Sequence, residues 1–392
     1  MKRLVKIAAA LLTSAMLAVS LTGCSSTVTQ DQYATTVAAT YGDQNIYLAE
    51  ANFFLRYQQW FEEASYWTIY SYYGYTNMWS ASSGSGTKNL GQYLKEVTMA
   101  QLLQTRILDD HAADYNVTLT DEDLTKISTM ISELHSSVAD EFFTYADVTD
   151  EQLTEWLKLN AIAVKVNDAA KKAADVTVSD AECQEYSIEY VLVPVTETDA
   201  QTAGTLYNKD LADEVQSRLQ GGAAFSDFAT ELGTTSSTAS YLITGDTDTS
   251  DLYTKTQGMK TDEIREFEVE GSGWYVVKCT AALDESATAT KKSSIETTRR
   301  TEAFNSLYTQ WSAAAPAFKV NKCWDDLKVD SKIYTATTTA ATTAATTAAT
   351  TEAATTTANN PLTVAQTTAA ASAATTAAAT ATAAASASSS GN

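Results

Sequence analysis

Apolar positions recur at helical spacing from residue 46 to residue 180. After a short extended piece at 46–48, residues 49–66 repeat apolar side chains every three or four positions, which predicts a helix. The stretch from Leu90 to Leu108 repeats this pattern and predicts a long amphipathic helix. We therefore expect residues 46–180 to form a helical region.

Paired polar residues predict where three further helices begin. In a capping box, a Ser or Thr side chain and the residue three positions later satisfy free backbone N–H groups at the first turn. Each pair here is also flanked by apolar residues at the spacing of a hydrophobic staple. The pairs are Thr120 with Asp123, Thr149 with Gln152, and Ser179 with Glu182. We expect a helix to start at each of them.

Between residues 181 and 285 the apolar residues no longer keep to helical spacing throughout, and segments with strand-like alternation appear. Residues 187–193 alternate with β-branched side chains and predict a strand, and residues 273–278 predict a second one. Between them we expect a helix that ends at Gly221, a short helix at 225–232 and a polar Ser/Thr-rich loop. This order is typical of a compact unit of the α+β class.

A last amphipathic helix is predicted from Ser293 to Trp311, within a C-terminal region at 286–334. Pro316 lies just beyond it, where a proline cannot continue the helix. For the chain as a whole, the fold class that we predict is α+β.

The N-terminus reads as a secretory signal peptide at residues 1–23, with a basic start and an apolar stretch from Ile7 to Leu21. It ends in Leu-Thr-Gly followed by Cys24, which resembles a bacterial lipobox. That resemblance implies a lipid on Cys24, which would anchor the chain to the outer face of the cytoplasmic membrane through residues 24–45. The alternative is an ordinary cleavage site with a cysteine nearby.

The C-terminal residues 335–392 contain 24 Ala, 20 Thr and a single charge, Glu352. This composition is typical of a disordered stalk or linker. The net charge of the whole chain is −22. The leader carries +3, the tail −1 and the residues between them −24. Because such a body is repelled by phosphate backbones, nucleic-acid binding is excluded.

Cysteine and histidine do not form a metal site in the sequence. Cys183, Cys279 and Cys323 remain after the lipobox cysteine, and buried free thiols or one disulfide with one free thiol would account for them. His111 and His135 lie in the helical region, where we expect structural roles. No metal and no other cofactor is expected.

Ten of the 37 aromatic residues fall between Tyr57 and Trp79. Beyond Tyr66 they occupy every face of a helix, so a single core cannot bury them all. The run therefore favours an apolar surface for unfolded polypeptide (a client) or for a glycan; the alternative is an insertion packed on its own domain. The predicted client-binding residues are Trp60, Tyr66, Trp67, Tyr70, Tyr73 and Trp79.

Several segments resemble a known family. The middle region resembles the parvulin-type peptidyl-prolyl isomerase domain, and the opening of the helical region is similar to the N-terminal chaperone region of PrsA/SurA-like foldases. The resemblance covers residues 40–320 and implies a parvulin-like domain, 181–285, inserted into a helical chaperone module on which the C-terminal helix packs back. The segments are YGDQNIYLAEANFFL, YSIEYVLVP, LQGGAAFSDFATELG and GWYVVK.

The resemblance also implies site residues. Active parvulins carry a histidine on each flanking strand, and the matching positions here hold Tyr190 and Tyr275, which could meet across paired strands. The substrate groove is matched by Met259, with Ile264 or Phe267 as the next apolar wall. Prolyl rotation faces a barrier of about 20 kcal/mol and needs no proton transfer, so weak isomerase activity is physically allowed. A domain that only binds extended chain, or two plain core tyrosines, are the alternatives.

The sequence as a whole favours an extracytoplasmic, membrane-anchored foldase with an eroded isomerase site. Its expected partners are unfolded or folding secreted polypeptides and, through Cys24, the membrane. The alternative is a surface lipoprotein without chaperone function that captures a glycan or a solute. A solute binder of this size should show alternating βα units, which the pattern lacks.

Overall fold

A computed structural model describes residues 28–84, 86–138, 140–194, 205–228 and 235–334. The predicted signal peptide, the lipobox cysteine Cys24 and the Thr/Ala-rich tail lie outside these residues. The chain divides into two compact units. The first unit holds the residues up to Ala173 and those from Phe304 onward, and the second holds Ala174–Ala303. Within the described ranges, no helix has both the length and the apolar content needed to cross a membrane.

The first unit is built mainly from long helices that follow a β-hairpin. The hairpin turns at Gly42, whose positive φ of 55° suits glycine. The extended piece and the first two predicted helices are confirmed, although the first helix continues past Tyr66 to Tyr72. The elements are β1 (Val37–Tyr41), β2 (Gln44–Tyr47), α1 (Leu48–Tyr72), α2 (Leu90–Asp110), α3 (Asp121–Ser137), α4 (Asp140–Ala146) and α5 (Asp150–Ala173).

The second unit is an antiparallel sheet with helices around it. Its strands lie in the order β4 (Ser237–Leu242), β3 (Glu185–Pro194), β6 (Gly273–Ala281) and β5 (Ile264–Val269), so the two predicted strands, β3 and β6, are central neighbours. A 3₁₀ turn at Phe225–Phe228 occupies the start of the predicted short helix, whose remaining residues lie outside the described ranges. The elements are α6 (Asp180–Cys183), β3 (Glu185–Pro194), α7 (Thr205–Gln220), β4 (Ser237–Leu242), α8 (Asp251–Thr256), β5 (Ile264–Val269) and β6 (Gly273–Ala281).

The Ser/Thr-rich stretch that we expected to be a loop contains two edge strands and a short helix. β4 pairs with β3, and β5 pairs with β6, each in antiparallel register. All six side chains of β4 are exposed or half-buried. The hydrophobic alternation that identifies a strand is therefore weak at this edge, and backbone pairing to a neighbour defines the strand instead.

One face of this sheet packs on α7. Val191 and Val193 of β3 and Val276 of β6 form a buried cluster with Ala212 and Val215 of the helix. Alternate residues of the same strands point to the opposite face, since side chains alternate along a strand. That opposite face carries the predicted site residues of β3 and β6.

The chain then returns to the first unit. α9 (Glu285–Ala314) is longer than the predicted helix at 293–311 and contains residues of both units. Phe304 of α9 is buried in a cluster with Leu108 and Ala163. β7 (Phe318–Val320) pairs with β1 to give a sheet of order β2-β1-β7, and α10 (Lys322–Asp326) follows.

Reciprocal caps define the helix starts. All three predicted capping boxes are confirmed, and each has the residue three positions later accepting from the backbone N–H of the cap. A fourth box, missed in the sequence, begins α2: the Gln92 side chain accepts from the Asn89 backbone at 3.1 Å, and Asn89 accepts in return at 2.9 Å. Local polar chemistry therefore fixes where these helices start.

Candidate functional site

Tyr190 and Tyr275 lie side by side on the face of the sheet away from α7. In the β3–β6 register Tyr190 is opposite Val277, and Leu192 is opposite Tyr275, so the tyrosines are diagonal neighbours. Their ring centroids are 5.6 Å apart with the planes at 50°. Both side chains are half-buried. The prediction that the two tyrosines meet across paired strands is confirmed.

Further aromatic rings lie on the same face of the sheet as this pair, and two of them, Tyr186 and Tyr253, are buried there. The Phe267 ring stacks on Tyr275 at 5.8 Å. On the other side, Tyr241 contacts Tyr186 at 5.8 Å and Tyr253 of α8 at 5.4 Å. We call this surface the aromatic sheet face; its members are Tyr186, Tyr190, Tyr241, Tyr253, Phe267 and Tyr275.

The hydroxyl groups on this face differ in their partners. The Tyr186 hydroxyl lies 2.9 Å from the Thr256 hydroxyl, and burial raises the pKa of Tyr186 to about 12. Burial also raises the pKa of Tyr241, whose hydroxyl interacts with Ser250. No protein group in the described ranges hydrogen-bonds the hydroxyl of Tyr190 or of Tyr275.

A cation borders the aromatic sheet face. The Lys255 ammonium lies 5.2 Å from the centre of the Phe267 ring and donates to the Glu268 carbonyl at 2.7 Å. A phenol donates or accepts hydrogen bonds, and its ring supplies an apolar wall. The arrangement can therefore hold an apolar group between rings and donate a hydrogen bond to a nearby carbonyl oxygen.

The predicted substrate groove is only partly present. Phe267 lies on the aromatic sheet face as expected. Ile264 does not: it pairs with Lys278 in the β5–β6 register and packs on the α7 side. Met259 is buried, and its carbonyl contacts the Cys279 thiol, so it offers no open wall. Strand alternation and burial therefore separate Ile264 and Met259 from Phe267, the one predicted groove residue on the aromatic sheet face.

The aromatic run of α1 and the following turn is divided between core and surface. Trp79 is only 2% exposed, and its indole N–H donates to Glu63 at 2.7 Å, so this predicted client-binding residue lies in the core and not on the surface. Trp60, Tyr66, Trp67 and Tyr70 pack in part against the core. Tyr73 is exposed, in a patch that the sequence did not delimit. This exposed patch consists of Ile69, Tyr72 (86% exposed), Tyr73 and Tyr75.

Polar residues on the same helix form a cluster that the aromatic pattern concealed. Gln59 accepts from Arg56 at 2.6 Å and donates to the fully buried Glu63 at 3.0 Å. The three residues follow each other at helical spacing within an otherwise apolar segment. That spacing of polar residues was the available signal for a buried network.

Solved structures give matches to this chain at low identity. The crystal structure of PrsA from Bacillus subtilis is 16% identical, covers 60% of this chain and 91% of its own, and has a TM-score of 0.22. Peptidylprolyl isomerase PrsA from Bacillus cereus is 17% identical, over 59% of this chain and 87% of its own, with a TM-score of 0.24. Foldase protein PrsA from Streptococcus pneumoniae is 16% identical, over 59% and 86%, with a TM-score of 0.23. No family model and no curated protein matches the chain.

The described cysteines are buried, and both histidines pack on aromatic rings. Cys183, Cys279 and Cys323 are buried free thiols, which confirms the first of the two interpretations. His111 stacks on the Trp311 ring, and His135 stacks on the Phe143 ring. In the part of the chain that the structure describes, no group of His, Cys, Asp and Glu side chains could hold a metal ion.

Proposed function

We propose that this chain is an extracytoplasmic, membrane-anchored foldase that binds unfolded secreted polypeptides and retains at most a weak prolyl isomerase site. One observation carries this proposal. Tyr190 and Tyr275 form an adjacent pair with unpaired hydroxyls on an aromatic sheet face, at the two positions where the resembling family carries its histidines. We assign prolyl isomerisation to this pair because the sequence resembles that of PrsA/SurA-like foldases with a parvulin-type domain.

The chemistry of the pair suits a prolyl segment. Aromatic walls accept a proline ring. A hydroxyl that donates a hydrogen bond to the prolyl nitrogen itself draws the nitrogen lone pair out of the amide resonance and so lowers the barrier to rotation. Such a site needs neither a nucleophile nor a proton acceptor, because the barrier of about 20 kcal/mol belongs to a bond rotation. Tyrosine in place of histidine is therefore compatible with slow catalysis.

A prolyl isomerisation assay on a model tetrapeptide tests the pair. Removing both hydroxyls in Tyr190→Phe with Tyr275→Phe should lower the catalysed rate about thirtyfold, since each lost hydrogen bond is worth about 1 kcal/mol and about 1.4 kcal/mol is a factor of ten in rate. Tyr145→Phe is the control, because it removes the hydroxyl of an exposed tyrosine that lies in the first unit, outside the aromatic sheet face. Full activity in the double variant would show that the hydroxyls do not contribute.

Suppression of aggregation tests the polypeptide-binding role independently. The wild-type chain should keep an unfolded secreted protein soluble, and Tyr72→Ser with Tyr73→Ser should weaken this effect because both rings belong to the exposed patch. Tyr145→Ser removes an exposed tyrosine elsewhere in the same unit and should leave suppression unchanged. Glycan binding without any suppression would favour the alternative of a surface lipoprotein that captures glycans.

The lipid anchor at Cys24 has its own test. Cells that produce the wild-type chain should incorporate labelled palmitate into it and retain it with the membrane, because several buried acyl chains give firm attachment. Cys24→Ala should lose the label and leave the membrane fraction. Label retained by this variant would place the lipid elsewhere.

A further inference from the structure

The residues after α10 lie along α1 as a segment of irregular backbone, the strap, which we define as residues 328–334. Side chains of the first unit hold its backbone. The Arg56 guanidinium donates to a carbonyl of the strap at 3.1 Å, the Gln59 amide to another at 2.7 Å, and the Asn77 amide to a third at 2.6 Å. The accepting carbonyls are those of Lys328, Ser331 and Asp330 respectively.

Glu63 holds the end of the strap. One carboxylate oxygen accepts the backbone N–H groups of Ile333 at 2.7 Å and Tyr334 at 2.6 Å. The other oxygen accepts from the Gln59 amide and the Trp79 indole. Only a carboxylate can accept from four N–H donors at once in this way, since an amide has a single acceptor oxygen. Glu63 is therefore matched to two successive peptide N–H groups.

Side chains of the strap cover the aromatic residues of α1. Tyr334 meets Trp60 edge to face at 5.7 Å, and the Lys332 ammonium lies 4.8 Å from the centre of the Trp67 ring. Ile333 is 5% exposed. Two predicted client-binding residues, Trp60 and Trp67, are thus contacted by a segment of the same chain.

The strap approaches α2 closely at one glycine. A Cβ atom built on Gly91 would lie 2.6 Å from the Val329 carbonyl oxygen and 3.3 Å from the Val329 Cβ. Gly91 occupies a helix, where alanine would otherwise be favoured by about 1 kcal/mol. The glycine leaves room for the strap backbone at the start of α2.

We propose that this surface of α1 is a binding site for an irregular polypeptide segment that presents two successive backbone N–H groups to Glu63, and that the strap occupies it in the free protein. The α1 groove, as we call it, consists of Arg56, Gln59, Trp60, Glu63, Trp67 and Asn77. Its polar side chains contact backbone atoms, which every polypeptide shares, and its aromatic rings pack on apolar side chains such as Tyr334, so the groove binds a client segment that carries apolar residues. The inference deepens the proposed foldase function, on which it rests, and makes the strap a competitor of the client.

Binding of a labelled peptide in trans tests the groove. The probe has the sequence of residues 327–334, Leu-Lys-Val-Asp-Ser-Lys-Ile-Tyr. The full chain with Val329→Ser and Ile333→Ser loses the apolar anchors of its own strap and keeps the groove intact. Fluorescence anisotropy should show at least tenfold tighter binding of the probe to this variant than to the wild-type chain. Adding Glu63→Gln to the variant should weaken binding at least tenfold.

A modified probe distinguishes backbone recognition from apolar adhesion. Methylation of the two peptide nitrogens that correspond to Ile333 and Tyr334 removes the donors for Glu63 and preserves every side chain. This peptide should bind at least tenfold more weakly than the unmodified probe. Equal binding of the two peptides, or no binding to a strap variant with wild-type helicity, overturns the proposal.

Hydrogen exchange on the wild-type chain gives a measurement that needs no variant. The amide hydrogens of Ile333 and Tyr334 should be protected, and a permanently unfolded client, reduced carboxymethylated lactalbumin, should accelerate their exchange without affecting the core of α1. Unchanged rates in the presence of bound client identify the strap as purely structural and overturn the inference. Suppression of aggregation with unchanged rates would leave the foldase role standing, whereas peptide binding without suppression would count against the foldase role alone.

Discussion

Two adjacent glutamates on α1 have opposite surroundings. The fully buried Glu63 carboxylate accepts hydrogen bonds from four N–H groups, which compensate for its loss of water. Burial instead raises the pKa of the Glu62 carboxyl to about 7. The charge of Glu62 contributes in turn to the raised pKa of Tyr66, Tyr70 and Tyr93. An ionised Glu62 therefore opposes folding, whereas Glu63 ties two segments of the first unit together.

Glu62→Gln should stabilise the protein in a pH-dependent way. In the unfolded state Glu62 has its ordinary pKa of 4.5, whereas in the folded state its pKa is about 7. As the pH rises, Glu62 therefore ionises in the unfolded state first, and the free energy of unfolding falls between about pH 4.5 and pH 7. Above pH 7 the full penalty is present, and the variant should gain on the order of 1–3 kcal/mol in the free energy of unfolding. Urea unfolding at pH 4 and pH 8 measures the gain, which should vanish at pH 4.

The matched control for Glu62 is Glu133→Gln on α3, because Glu133 is exposed. This variant should change stability by less than about 0.5 kcal/mol at either pH. A gain at Glu62 that persisted at pH 4 would assign the effect to packing and not to charge.

At the level of elements, helices and strands are specified by different information. Four capping boxes fix helix starts through contacts between residues three positions apart. β4 and β5 instead depend on pairing with β3 and β6, which are distant in sequence. Local patterns therefore predict the helices well, and the edge strands emerge only when the sheet assembles.

The cap of α5 provides a test at this scale. Thr149→Ala removes the hydroxyl that accepts from the Gln152 backbone N–H at 3.3 Å and should lower the free energy of unfolding by about 1 kcal/mol. Thr154→Ala makes the same change one turn later, where the hydroxyl only donates back to the Asp150 carbonyl. Because alanine is the better helix former there, chemical denaturation should show this control within about 0.5 kcal/mol of wild type or slightly above it. An equal loss in both variants would argue against a specific cap.

On the scale of the whole molecule, the second unit interrupts the first one. The Arg300 guanidinium donates to the Ala174 carbonyl at 3.1 Å, so the two ends of the second unit lie close together. Core clusters of the first unit draw residues from both sides of the interruption, as Phe304 does with Leu108 and Ala163. This organisation supports our proposal that the sheet unit is an insertion into a helical module.

Replacing residues 174–303 by a short Gly/Ser linker should leave the first unit folded. Closing a short loop between neighbouring ends costs little entropy, and the core that contains Phe304 stays complete. Circular dichroism should show a helical protein with one cooperative thermal transition. Retained suppression of aggregation would assign client binding to the helical unit, and loss of helical signal would show that the insertion is needed for folding.

The sequence by itself determined the elements whose information is local. Helical periodicity, the capping pairs and the alternation of β3 and β6 predicted the α+β class, and the family resemblance together with this alternation implied the meeting of Tyr190 with Tyr275. Only the tertiary structure decided which aromatic residues are accessible. Trp79 is buried against Glu63, and Ile264 faces α7 because the β5–β6 register places it there. The strap likewise binds α1 through backbone atoms of residues remote in sequence, and no side-chain pattern encodes such contacts.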